Sequence, residues 1–537
     1  MLTKLSELHS LNLMREANKE SELIADFASW WDRNALRWPH KLALFDGCHR
    51  LTWERAARTA RCLSRALLAL GLKPGVVVAS WLPNWAESYI LHIACERAGL
   101  AWLPIPASLR EHEVKPILER VEARALFVAG RWHRMNYAEA IRQMRSQLPH
   151  LKVLIGVRTE EKGDLLSWEK LLSEEGKDFP RPKKPGPLIL PTSGSTGVPK
   201  FAYFSASSWL LRGRFQAELF RLQPEDLFLA MAEGIGPSIP PLFAAPVAGS
   251  GVVLASRLEV EEIFALLQKE KVTIVCAVPA QLATLAYHSA WKAQHCRSVR
   301  LWYTTGAPML QALAEKIEKE TGAVVLSGYG GMDFGGWTAP SLDDPAEIRH
   351  QTVGRPRGDT QIRLVDEQGQ DIPPGEIGEI WGRGPCCALG YFKDGKTSRE
   401  KWTNDGWFRT GDLGRWDAHG NLIIVGRKRE IIRRGARTIV PKEIEDLLMT
   451  HPKVLKAAVI GLPDLVMDER VCACVLPRSG QSFSFEEMVD FLKEQHVAPY
   501  KWPERLEVLK DIPLRGDKTD KEALRNEVLR RVSDSNL

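Results

Sequence analysis

The sequence predicts an α/β protein. A large N-terminal domain of doubly wound, mostly parallel sheets with a small β subdomain (residues 1–426) is followed by a small α+β domain (427–537). Three observations carry this expectation. Strand and helix patterns alternate from residue 24 to 190 and again from 201 to 355, the signature of layered parallel sheets. After 355, strand patterns follow one another across Gly- and Pro-rich turns, and past 426 short helices and strands are mixed. A chain of 537 residues is also too long for one core.

Taken in order, Trp53, Ala56, Ala60, Leu63, Leu67 and Leu70 recur at three- and four-residue steps, so 52–70 reads as an amphipathic helix. Val76–Ser80, Ala101–Pro104, Ala125–Val128 and Val153–Val157 read as short buried strands, separated by helices near 86–98, 112–122 and 137–146. Leu188–Leu190 is the next strand, ending at Pro191. The second alternation puts helices at 205–221, 259–270, 280–289 and 309–320, with strands at 251–255, 272–276 and 299–305. Gln361–Asp366, Gly378–Gly382 and Leu422–Val425 are strands of the β subdomain. In the tail, Pro441 opens a helix to Met449, and Lys456–Ile460 and Arg470–Leu476 are strands. Ser484 and Glu487 make a capping box for a helix to Gln495, and a last helix covers Lys521–Val532.

Composition narrows the class. Apolar content of 44% and charged content of 26% are those of a soluble globular protein. A net charge of +6, from 73 basic and 67 acidic residues, gives no case for nucleic acid and suits small anionic substrates. Nine cysteines, an odd number, read as reduced thiols, with Cys472, Cys474, Cys386 and Cys387 as small core residues. Residues 1–20 lack a secretory apolar segment, and the apolar stretch Leu242–Ala255 is broken by Pro246, Gly249 and Gly251. No run reaches the ~20 apolar residues of a membrane span. A cytoplasmic protein with no integral membrane association is expected.

The densest chemistry lies at residues 188–200. After the apolar strand come Thr192, Ser193, Gly194, Ser195, Thr196 and Gly197, then Pro199 and Lys200. Glycines let a backbone come close to a ligand, while hydroxyls, freed N–H groups and a lysine wrap oxyanions. Polyphosphate is the ligand this composition suits. The glycine-to-Lys-Ser/Thr spacing of the Walker loop is missing.

This stretch resembles the phosphate-binding loop of the acyl-adenylate-forming (AMP-binding) superfamily: acyl-CoA synthetases, aryl-acid adenylating enzymes, adenylation domains of peptide synthetases, and luciferases. The other motifs of that family follow in order between residues 25 and 530. Gly328-Tyr329-Gly330-Gly331-Met332-Asp333 matches the aromatic-Gly-x-Thr/Ala-Glu segment. The resemblance places Tyr329 on adenine and Asp333 on Mg²⁺, although Met332 replaces a small or hydroxylated residue and Asp333 is one methylene short. Thr304-Thr305-Gly306-Ala307-Pro308 is similar to the turn flanking adenine and the acyl group. Trp407-Phe408-Arg409-Thr410-Gly411-Asp412 carries the expected ribose-binding aspartate, and Arg427 is the second ribose contact. By the same resemblance Arg429 falls at the hinge about which the small domain would move. In Pro513–Arg525, Lys518 rather than Lys521 aligns with the catalytic lysine, preceded by Asp517 in place of the usual glycine.

These matches imply an ATP-dependent acid–thiol ligase, most closely an acyl-CoA synthetase using ATP, Mg²⁺ and CoA. Ser341–Ile348, the Arg383-Gly-Pro385 turn and Tyr500–Pro503 look nearest to aryl-acid-activating members. Those members often read an aryl hydroxyl with an asparagine where this chain has Gly234. With Gly234, Gly236, Gly306 and Gly331 leaving room around the acyl group, a compact aromatic or alicyclic monocarboxylic acid is expected, and not a 2-hydroxyaryl acid. Two alternatives stay open: a standalone adenylating enzyme that loads the pantetheine of a carrier protein, and a nucleotide-binding homologue that has lost catalysis.

Overall fold

Continuous apolar runs become the centre of the molecule. Val77–Leu82 and Ala125–Ala129 are buried along their whole lengths, as strands covered on both faces must be. The computed structural model describes residues 26–159, 163–173, 179–192, 199–231, 239–434, 437–464, 467–515 and 518–535. Among these residues two seven-stranded sheets dominate. One runs in the order 324–327, 301–304, 274–277, 227–230, 251–254, 42–45 and 50–52, parallel except for the last pair. The other runs 200–204, 188–192, 101–106, 77–82, 125–129, 153–157 and 165–167, parallel except for the first pair.

A single hydrophobic cluster reaches from one sheet to the other through the helix Ala86–Ala98, which is buried on nearly all sides. That helix takes polar groups inside with it. Burial pushes the His92 imidazole down to about 3, so it is neutral, and pushes the Glu96 carboxyl up to about 8, although Glu96 accepts the Ala28 N–H at 2.8 Å. The β subdomain is a four-stranded antiparallel sheet of 361–365, 378–383, 408–416 and 422–427.

The tail builds a five-stranded sheet around the long hairpin of Val454–Asp464 and Asp468–Pro477. Alternation along the second strand serves two cores. Val471, Ala473 and Val475 join the cluster of helices Pro441–Thr450 and Phe485–Glu494, while Cys472 and Cys474 pack with Leu524 and Val528 of helix Lys521–Ser535. The cysteines are thus core residues, as their spacing suggests. Among the described residues no helix is long and apolar enough to cross a membrane.

Several expected elements end elsewhere. The strand opened by Leu188 runs through Pro191 to Thr192 and pairs in hairpin fashion with Lys200–Phe204. A strand at Leu227–Ala230 and a helix at Ile239–Ala248 appear where the pattern gave neither.

The two sheets are also joined by charge. Arg158, at the end of the strand Val153–Val157, donates through Nε and Nη2 to Glu87 at 2.9 and 2.8 Å and pairs with the fully buried Asp46, its guanidinium lying 4.2 Å from the Trp85 ring. His49 completes this cluster of acids, and the cation among them is the arginine. Burial alone would raise the Asp46 carboxyl, but the N–H groups of Ala86 and His49 together with Arg158 hold it below its ordinary value. Its contribution to stability is therefore present above the unfolded carboxyl range and fades as pH falls through that range. Arg158→Met leaves two buried carboxylates without a cation and is expected to cost about 3–5 kcal/mol. Urea unfolding at neutral pH checks this. A loss that did not shrink toward acid pH would contradict the ionic origin.

Candidate active site

Strand register assembles the first part of the site. Asp412 and Arg427 are cross-strand partners in the four-stranded sheet. Arg427 Nε lies 3.1 Å from Asp412 Oδ1, while the Tyr329 hydroxyl donates to Asp412 Oδ2 at 2.8 Å. Burial and the Asp412 charge both raise the Tyr329 pKa, so this hydroxyl stays protonated and serves as donor. Gly411, at φ +75°, gives the strand its left-handed step just before Asp412. The three residues expected around adenine and ribose are thus in contact, and the carboxylate keeps lone pairs for further donors.

Asp333 occupies the turn between the paired strands Tyr329–Gly331 and Gly335–Ala339. Its Oδ1 is buried without a hydrogen-bond partner. Burial pushes the carboxyl up to about 6, against the pull of Lys401 and Lys200 and of the Tyr391 and Thr192 hydroxyls. An orphaned carboxylate oxygen beside a hydroxyl is a donor set that suits a hard divalent cation, so Asp333 and Thr192 fit Mg²⁺. Met332 packs against the main core.

The second sheet brings up the cations. Thr192 and Lys200 face each other in the hairpin register, and Lys200 Nζ lies 5.3 Å from the centre of the Tyr391 ring. Residues 389–392 run alongside Phe201–Tyr203, with Phe392 N–H bonded to Phe201 O at 2.7 Å, which carries Tyr391 to Lys200. Lys401, on the helix Gly395–Lys401, donates to Arg409 O at 3.3 Å, close to the strand of Asp412. Sequence reasoning missed Tyr391 and Lys401. Their place depends on pairings between remote segments, for which the chain carries no local signal.

Ser193, Gly194, Ser195, Thr196 and Gly197 lie outside the described residues, as do Gly234 and Gly236. Gly306 is exposed with φ +90° and only Val278 within 4 Å of its open face, and Ala307 follows it half-buried. Gly328 and Gly330 are kept bare by tight packing: a Cβ would strike the Tyr303 hydroxyl at Gly328 and the Gly335 carbonyl at Gly330. At Gly331 the expectation of open room needs correction. The Phe334 ring fills the space that its missing side chain leaves.

Arg429 is exposed on the short turn Lys428–Glu430 that links the four-stranded sheet to the tail. The backbone of Lys518 pairs with Arg515, and its side chain lies outside the described part of the structure. Lys521 is held between Glu430 and Glu445 at 3.1 and 2.7 Å. Burial would lower its pKa, but the two carboxylates raise it, so it is a charged structural cation.

The AMP-binding enzyme family model matches residues 31–392, and the model of that family's C-terminal domain matches 443–518. The chain is 28% identical over 519 residues to the medium-chain fatty-acid–CoA ligase of Escherichia coli (strain K12), covering 95% of this chain and 91% of the relative. It is 30% identical over 509 residues to a salicylyl-CoA synthase / salicylate adenylyltransferase of Streptomyces sp, covering 92% of each. The crystal structure of the anthranilate CoA ligase AuaEII with anthranoyl-AMP superposes with a TM-score of 0.84 at 23% identity, covering 94% of this chain and 98% of the other, a likeness of fold. With both family domains matched in order on a chain that brings Tyr329, Asp412 and Arg427 together, this protein belongs to the AMP-binding enzyme family and is an acyl-adenylate-forming, ATP-dependent acid–thiol ligase.

Proposed function

We propose that the chain activates a compact aromatic or alicyclic monocarboxylic acid as its acyl adenylate and transfers the acyl group to CoA. The observation that carries the adenylation half is the contact of Asp412 with Tyr329 and Arg427. A carboxylate fixed by two donors presents its remaining lone pairs to the ribose hydroxyls, and the Tyr329 ring beside it offers a face for adenine. The ring-acid reading is supported by the relative whose name specifies salicylate, an aromatic monocarboxylic acid. Gly306 leaves its side of the pocket open, and Gly234 offers no side-chain amide to an ortho hydroxyl.

In this reading a substrate carboxylate oxygen attacks the α-phosphorus of ATP, and the bond to pyrophosphate breaks. Two anions meet in that step, so cations must already be in place. Lys200 and Lys401 supply two beside Asp333, and Lys518 bridges the acid and the α-phosphate. Asp333 and Thr192 would hold Mg²⁺, which supplies Lewis-acid charge neutralisation to the phosphates. The small domain then turns about Arg429, Lys518 leaves, and the CoA thiolate attacks the acyl carbon as AMP departs.

The pairing of Lys521 separates the two lysines experimentally. Lys518→Ala is expected to lower acid-dependent ATP–pyrophosphate exchange by about two orders of magnitude or more while thioester formation from a supplied acyl adenylate persists. Lys521→Ala is expected to lower stability by about 1–3 kcal/mol, read by urea melts, with exchange far less affected. Exchange lost in Lys521→Ala and kept in Lys518→Ala would reverse the assignment.

Metal binding gives a second check. Asp333→Asn substitutes a weak neutral ligand, and the Mg²⁺ concentration for half-maximal exchange is expected to rise about tenfold. An unmoved magnesium titration would place the ion elsewhere. For the hinge, Arg429→Pro fixes φ and removes an N–H. A folded variant is expected to keep adenylation while thioester formation falls steeply, and normal rates in both half-reactions would remove the hinge from this position.

A further inference from the structure

One guanidinium is buried beside the same hairpin with no acid to balance it. Arg212, on the helix Ala206–Leu219, is 8% exposed, and its Nε and Nη1 have no hydrogen-bond partner. Its guanidinium carbon lies 4.5 Å from the centre of the Trp209 ring. Its neighbour in the hairpin is Gly336, where a Cβ would lie 3.5 Å from both Nε and Nη2. The titratable groups around it are Tyr303 and Cys386, whose own burial keeps both protonated and uncharged. Among the described residues no carboxylate pairs with it.

A buried cation with orphaned donors works against folding, because it gives up water and here receives only the face of the Trp209 ring in return. Arginine does not escape by losing its proton. Tyr303, the neighbour of Arg212, leads directly into Thr304-Thr305-Gly306, the segment that the family resemblance places at the acyl group. Its hydroxyl occupies the bare face of Gly328 at the start of the tyrosine segment. Arg212 therefore sits behind the glycine-rich hairpin of Gly328–Gly336, with donors free.

We propose that Arg212 is a specificity-determining residue of the acyl site, its free N–H groups donating to an oxygen that the acid carries apart from the carboxylate being adenylated. This rests on the acid-activating reading above and narrows its substrate class. The shared chemistry is an oxygen acceptor. A ring hydroxyl or carbonyl away from the ortho position would satisfy the donors, and a second carboxylate would satisfy donors and charge together.

The test is ATP–pyrophosphate exchange by the full chain with a panel of benzoic acids: unsubstituted, para- or meta-hydroxylated, and carrying a second carboxylate. The wild type is expected to favour one acceptor-bearing arm over the unsubstituted acid by about tenfold or more in kcat/KM, since unpaired buried donors penalise an acid that lacks the acceptor. In Arg212→Met that ratio is expected to collapse toward one, and Arg212→Lys to retain part of it for the carboxylate arm alone. The melting temperature of Arg212→Met is expected to change little, because removing a buried charge that no acid balances offsets the loss of the Trp209 ring contact. An unchanged ratio in Arg212→Met, an equal loss on every acid, or a marked drop in melting temperature would overturn the proposal. So would a wild type that activates these acids without preference, which needs no variant at all. Failure of every ring acid to support exchange would instead sink the ring-acid reading. A win for the dicarboxylate would revise the monocarboxylate reading and leave Arg212 in its role.

Discussion

One carboxylate holds separately built parts of the molecule together. Asp412 and Arg427 come from adjacent strands of the four-stranded sheet, and Tyr329 comes from the hairpin that follows the edge strand Val324–Ser327 of a parallel sheet. A one-residue slip between the two antiparallel strands would turn alternate side chains to the other face and dissolve the cluster. The site therefore depends on strand register, with the aromatic stack of Tyr329, Phe334, Trp337 and Phe408 packed behind it to fix the hairpin against the sheet. A partly buried carboxylate cross-linked in this way resists rearrangement, and rigidity is what the proposed ribose-binding role asks of a group that is to position the α-phosphate for in-line attack.

Most of the fold was legible because its strands and helices have strong local signals. The helix 86–98 and the strand Val153–Val157 fall where the pattern puts them, and the helix read over 52–70 is found at Trp53–Ala69. The failures have physical causes. The helix Ile239–Ala248, buried over residues 240–246, contains Pro246 and has no polar residue, so periodicity gives it no helical stripe. Pro191 reads as a terminator, yet it pairs opposite Phe201 and the strand runs one residue beyond it. The hairpin strand from Val454 also runs four residues past Ile460 because Gly461 and Pro463 do not break it.

The site was legible in a different way. Its motifs could be assigned, but contacts could not. Nothing near Tyr329 says that its hydroxyl meets a residue 83 positions away, and nothing near Tyr391 or Lys401 says that both approach Asp333. The bare Gly331 was read as room, whereas the structure gives that room to Phe334. Spacing reveals which residue types a segment supplies; the partner that fills a glycine's empty side comes from elsewhere in the fold.

The two departures at Met332 and Asp333 acquire a common explanation from electrostatics. Met332, half-buried, packs against the core, leaving Asp333 to present oxygen at the turn. That oxygen has lost water and gained no hydrogen bond, a state that favours protonation, and the two nearby ammonium groups oppose this. Lys401 is itself pushed down by burial and by Lys200, so the pair of lysines gains from any added negative charge. A phosphate chain alone would relieve the lysines and repel Asp333. A divalent cation alone would relieve Asp333 and repel the lysines. In the proposed reading a metal and a polyphosphate arriving together would satisfy both, which is the electrostatic reason to expect the metal–nucleotide complex at this turn.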